Sequence, residues 1–115
     1  MGHYHSVVKD IQGPTRELRG MIPEVYEGFA QIHRAAYSDG ALSGGTKELI
    51  AIAIAIVEGC EGCIASHARA AVRKGVSPEQ MAEMIGVSIQ MQGGPATVYG
   101  PKAWEAFKEF KERYG

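Results

Sequence analysis

The chain has 115 residues, the size of one domain with a core of its own and close to the length at which association often adds stability. Twelve Lys and Arg stand against 13 Asp and Glu, for a formal net charge of −1. That balance, with no basic block, argues against nucleic acid or an anionic membrane surface as a partner.

The chain opens on MGHYHSVVKDIQGP, which lacks the apolar stretch of a secretory signal. The apolar run Leu49 to Val57 is nine residues, far short of the roughly 20 that cross a bilayer. Together they predict a soluble cytoplasmic protein with no membrane partner. His3 and His5 carry no ligand spacing, and GHYH reads as an unstructured end or a contact between subunits.

Pro23 begins a helical run, with Val25, Phe29, Ile32 and Ala36 at helical spacing and Gly40 as its stop. TKELIAIAIAIVEG is ambiguous, because Ile50, Ile52, Ile54 and Ile56 alternate with alanines at the period of a strand. Alanine favours helices and no second strand exists to pair with, so the segment is expected to be a helix, apolar on every side. Such a helix needs cover from outside the monomer. Gly75, after Arg73 and Lys74, stops the helix that precedes it. Ser77, Pro78 and Gln80 form an N-terminal capping signature for the next one. The end, PKAWEAFKEFKERYG, carries Trp104, Phe107, Phe110 and Tyr114 as one aromatic stripe, suited to a subunit contact or to the chain's own core. With no internal repeat and Gly and Pro falling between segments, residues 1–115 read as a single all-α domain.

Both cysteines lie in VEGCEGCIASHARAA, with His67 four residues after Cys63. A thiol pair beside an imidazole can be a redox centre, a metal site or an inert disulfide. A close-spaced pair in a reducing compartment favours catalysis or metal binding over a structural bridge, and so short a loop would constrain the unfolded chain little. If a helix begins near Cys60, then Cys60, Cys63 and His67 line one side of it. The thiols then fall in the first turn, where free N–H groups and the helix dipole favour the thiolate. Folding the preceding helix back about Gly59 brings Glu48 alongside His67 to Ala71, and Ala51, Ala55, Ala68 and Ala71 allow close packing. Glu48 can then orient His67 or take its proton, directly or through water, while His67 takes the proton of Cys63.

Zinc is the rival reading. Two thiolates and one imidazole are three ligands where structural zinc takes four; Glu48 or a histidine of a neighbouring subunit could supply the fourth. Ligands at i, i+3 and i+7 of one helix diverge too far for a tight tetrahedron, so no metal is expected at the working site. Met81, Met84 and Met91 read as packing residues, Gly93 and Gly94 as a loop, His33 as a mid-helix residue without a role, and Arg69 and Arg73 as solvated helix charges rather than an anion site.

Glu48, Cys60, Cys63 and His67 at this spacing resemble the glutamate, Cys-x-x-Cys and histidine pattern of the AhpD-like alkylhydroperoxidases in the carboxymuconolactone decarboxylase superfamily. RAAVRKGVSPEQMAEMI and GGPATVYG, the latter as a loop, are similar to its downstream segments; the likeness runs from Glu48 to Trp104, about half the chain. The resemblance implies an all-helical AhpD-like fold, the cysteines on a helical hairpin, and trimers or hexamers. It implies a thiol peroxidase for organic hydroperoxides, with Cys63 peroxidatic, Cys60 resolving and Glu48 and His67 as proton relay. It implies no bound organic cofactor and an external dithiol donor, such as a lipoyl or thioredoxin-like protein. The best-known members carry a histidine just before the second cysteine, where this chain has Gly62. The lactone decarboxylases of the superfamily lack the cysteine pair, so ring decarboxylation is not expected. The same residues would also serve a disulfide reductase without peroxidase activity.

Overall fold

The structure is a computed structural model that describes residues 2–114. They form seven helices and no strand: α1 (His3–Asp10), α2 (Gln12–Met21), α3 (Pro23–Tyr37), α4 (Gly44–Glu58), α5 (Glu61–Arg73), α6 (Pro78–Gln92) and α7 (Ala96–Tyr114). Helix α5 is central and packs against α1, α4 and α7, while α6 closes the other side of α4 and α7. None of the described helices is long and apolar enough to cross a membrane.

The hairpin of α4 and α5 is set by local chemistry at its ends. Ser43 caps α4 by accepting from the Thr46 N–H. Gly59 ends it in the left-handed region, at φ 67°, where a side chain costs energy. An added Cβ there would also stand 3.2 Å from the Tyr99 ring. Cys60 follows at once as the N-cap of α5.

Between the helices lie Ile52, Ala55 and Ile56 of α4 and Ile64, Ala65, Ala68 and Ala71 of α5, all buried. The small side chains let the axes approach while the isoleucines fill the gaps. The apparent strand period of α4 thus resolves into two helix faces. Ile52 and Ile56 point inward, whereas Ile50, Ile54 and Val57 are about half exposed. The expected burial on every side is not met within one chain, because the neighbours of α4 leave Ile50, Ile54 and Val57 uncovered.

Three other expectations need correction. In α3 the apolar positions Val25, Phe29 and Ile32 are each exposed by about two thirds, and the helix stops at Tyr37, short of Gly40. Its periodicity is that of an amphipathic helix, but the arm formed by α2 and α3 has no buried residue. Residues 96–100, expected in a loop, are the first turns of α7, which continues through Pro101. Gly100 permits this by letting α7 run against α6, where an added Cβ would meet Ile85 Cγ2 at 2.8 Å. Residues 3–5 are not an unstructured end, the first of the two alternatives read for them, but belong to α1, whose N–H groups at Tyr4 and His5 donate to the Glu109 carboxylate at 3.1 and 2.7 Å. Phe107 and Phe110 of the aromatic stripe are buried in the chain's own core, with Trp104 packed against it and Tyr114 at the rim. Of the methionines, Met81 is core, Met84 packs beside it and Met91 is exposed.

Candidate active site

Four of the residues singled out from the sequence sit on the α4–α5 hairpin. Cys60 and Cys63 are joined as a disulfide across the first turn of α5, with Cα atoms 5.2 Å apart. The Cys63 N–H donates to Cys60 Sγ at 3.2 Å, so the first sulfur takes the place a Ser or Asp oxygen has at other helix starts. Cys60 is half-buried and Cys63 exposed, so the second cysteine is the more open of the two to solvent. Reduction would leave the Cys60 sulfur at the positive end of α5, a setting that favours its thiolate.

One turn beyond Cys63, His67 Nδ1 lies 2.7 Å from Glu48 Oε1. Glu48 is buried, 1% exposed, at the head of the apolar run of α4. A buried carboxylate needs compensation, and its second oxygen receives it from Lys74 Nζ at 2.9 Å. With Glu48 accepting at Nδ1, the proton of the neutral imidazole is held on that nitrogen and Nε2 is left as the basic atom. Among the described residues the imidazole makes no hydrogen bond to either sulfur. A proton passing between His67 and Cys63 therefore crosses one helical turn, through water or after reduction frees the thiol.

Three residues of this cluster carried no signal in the sequence reading. Lys74 stood out only as a charge at the helix end, yet it is the second partner of Glu48. Its place seven residues after His67 puts both on one face of the helix, which is the one clue the spacing offered. Tyr37, at the end of α3, stacks on His67 with ring centres 5.4 Å apart, and Lys74 Nζ lies 5.3 Å from the centre of the same tyrosine ring. His33 follows, 4.6 Å from Tyr37 and 6.4 Å from His67. Burial, and after it the charge of Glu48, pushes the Tyr37 hydroxyl above its usual range, so it serves as a neutral wall of the imidazole. Arg73, one of the two charges expected to be solvated, is exposed and also lies over the Tyr114 ring at 4.8 Å.

In the disulfide form the four candidate zinc ligands are engaged with one another. Among the described residues no three His, Cys, Asp or Glu side chains are placed to hold an ion. The sulfurs are bonded to each other, and the imidazole nitrogen nearest a carboxylate is taken by it.

A model of the Carboxymuconolactone decarboxylase family matches residues 23–111. The chain belongs to that family. The match extends the resemblance seen in the sequence backward to include α3, whose Tyr37 and His33 border the imidazole. The crystal structure of apo-lpg0406, a carboxymuconolactone decarboxylase family protein from Legionella pneumophila, superposes with a TM-score of 0.91 at 39% identity, covering 94% of this chain and 96% of that one. An uncharacterized protein of Cupriavidus necator is 39% identical over 85 residues, 74% of this chain and 75% of its own. "Uncharacterized protein 4 in cox locus" of Paracoccus denitrificans is 37% identical over 83 residues, 72% and 75% of the two chains. The all-helical fold expected from the sequence is thus that of the family.

Gly62 lies between the two cysteines on the open side of the helix. An added Cβ would meet nothing within 4 Å, so a histidine there has room. Gly62→His should fold with at least the stability of the parent, since it also replaces a glycine in a helix, worth about 0.5 to 1 kcal/mol. A second imidazole beside Cys63 should speed the reaction of that thiol with peroxide, read by stopped-flow at neutral pH. An unchanged rate would show that the position does not bear on thiol activation.

Proposed function

We propose that the protein is a thiol-dependent peroxidase of the AhpD type, reducing organic hydroperoxides in the cytoplasm. The observation that carries this reading is the Glu48–His67 pair, with its buried carboxylate fixed at both oxygens, one helical turn from the exposed cysteine of a Cys-x-x-Cys disulfide. In the reduced protein, His67 Nε2 takes the Cys63 proton and Glu48 balances the imidazolium. The Cys63 thiolate attacks the terminal oxygen of the hydroperoxide. The O–O bond breaks, the alkoxide takes a proton and leaves as an alcohol, and Cys63 becomes a sulfenic acid. The Cys60 thiolate, favoured by the start of α5, then attacks the Cys63 sulfur; hydroxide leaves and takes a proton as water, and the disulfide is restored. An external dithiol, a lipoyl or thioredoxin-like protein, returns it to the thiols by two exchanges. No bound organic cofactor enters this cycle.

A second reading rests on the position of Cys60. A half-buried first cysteine whose sulfur caps the helix is also what a thiol-disulfide oxidoreductase uses as its low-pKa thiol. Steady-state turnover of cumene hydroperoxide and of a mixed disulfide, each with dihydrolipoamide as the reductant, separates the two. Peroxide turnover supports the peroxidase; turnover of the disulfide alone overturns it in favour of the reductase.

We also propose assembly as trimers or hexamers. Supporting it are the exposed α3 residues Val25, Phe29 and Ile32 and an apolar groove of about 300 Å³ between α4 and α6, walled by Ile54, Val57, Val87 and Met91. Apolar surface of this extent on a small chain is costly to leave in water. Phe29→Glu and Ile54→Glu should each shift the sedimentation coefficient toward that of the monomer; a parent that already sediments as a monomer would refute the assembly.

A further inference from the structure

A cavity of about 480 Å³ lies between α2 and α5 and reaches Gly62, the residue between the two cysteines. Arg16 and Arg19 of α2 and Arg69 of α5 line it, and no Asp or Glu does. None of the three guanidinium groups makes an ion pair among the described residues; Arg19 only approaches the Tyr26 ring, at 5.8 Å. Three like charges around one cavity repel one another, and the fold gains nothing visible in return. The rest of the wall is mixed. Ser66 offers a hydroxyl, Val8 and Ile11 give an apolar side, and Gly62, next to Cys63 in the chain, adds no side chain to the wall.

We propose that this cavity binds the carboxylate of the substrate, and that the substrate is a hydroperoxide of an aliphatic carboxylic acid. The inference deepens the peroxidase reading and rests on it for the word substrate. Arginine pairs with a carboxylate through two parallel N–H donors, and two or three guanidiniums converging from two helices favour a charged head over a neutral one. The apolar side formed by Val8 and Ile11 accommodates the chain of the acid, which inorganic phosphate lacks. Gly62 is part of the wall, so a molecule held by its head on Arg16 and Arg69 lies within one residue of Cys63 along α5. The chemical step is the one written above, with the carboxylate unchanged throughout.

The test uses the disulfide form, so that binding is read apart from turnover. Calorimetry with octanoate, octanamide and inorganic phosphate should show octanoate binding tightest, with an affinity that falls as salt is raised. Arg16→Gln with Arg69→Gln should weaken octanoate about tenfold or more, the equivalent of about 1.4 kcal/mol. Lys111→Gln, the same loss of charge on the exposed end of α7, should leave it unchanged. In the reduced protein, kcat/KM for hydroperoxyoctanoate should exceed that for its methyl ester, and the double variant should remove the difference through KM. Octanoate no tighter than octanamide, or phosphate as tight as octanoate, would overturn the site. Octanoate bound as expected with no peroxide consumed would uphold the site and sink the peroxidase reading. Equal turnover of acid and ester would do the reverse.

Discussion

Cys63→Ser should abolish peroxide reduction, and Cys60→Ser should stop it one step later. The expectation follows from exposure and from position on the helix. Cys63 is the more open cysteine and has His67 one turn behind it, so without Cys63 no sulfur accepts the peroxide oxygen at the catalysed rate. Cys60 sits half-buried at the N-cap, where it receives the Cys63 N–H. Its removal leaves the Cys63 sulfenic acid without a resolving thiol, and a dimedone adduct of one mass increment per chain should accumulate. The helix start is kept by the serine hydroxyl of Cys60→Ser, which caps at least as well as sulfur, so folding should not confuse the result. Adduct on Cys60 in the Cys63→Ser protein, and none on Cys63 in the other, would exchange the two roles.

Glu48→Gln should lower turnover by about 10² to 10⁴, the usual range for a proton-transfer group, while leaving both thiols in place. The amide has nearly the shape of the carboxylate but cannot balance an imidazolium or pair with Lys74. It also leaves Lys74 without its charge partner and turns a buried amide toward two donors. That mismatch should cost about 1 to 3 kcal/mol of stability, less if the partly exposed Lys74 swings into water. The two effects are separable. Lys74→Met removes the second partner but keeps Glu48 on His67, so it should cost stability without the full catalytic loss. If Glu48→Gln turns over like the parent, Glu48 is a structural anchor and the relay is wrong.

What was legible in the sequence was what helix geometry encodes locally. The antiparallel fold about Gly59 placed Glu48 beside His67 because eleven residues back and eight forward reach the same level of a hairpin, and the structure puts their side chains 2.7 Å apart. The stop at Gly75 and the capping box at Ser77 and Gln80 are likewise local chemistry. Contacts made across distant segments were not legible. Tyr37 reaches His67 from α3, and Arg16 and Arg19 reach the cavity from α2, helices that bury nothing in the chain's own core, so no core pattern shows where they lie. Lys74 looked like a charge suited to a helix end, a role its sequence position explained before any partner was needed. The segment 96–100 is likened to a loop, whereas α7 begins there and runs on through Pro101.

The central claim is that the Cys60–Cys63 pair is a working peroxide-reducing centre rather than an inert bridge. The measurement that tests it most directly is the intact mass and free-thiol count of the reduced, metal-free protein before and after one equivalent of an organic hydroperoxide. Rapid loss of both thiols, with the mass falling by two hydrogens, is the predicted result. Thiols that persist as long as those of free cysteine under the same peroxide would contradict it.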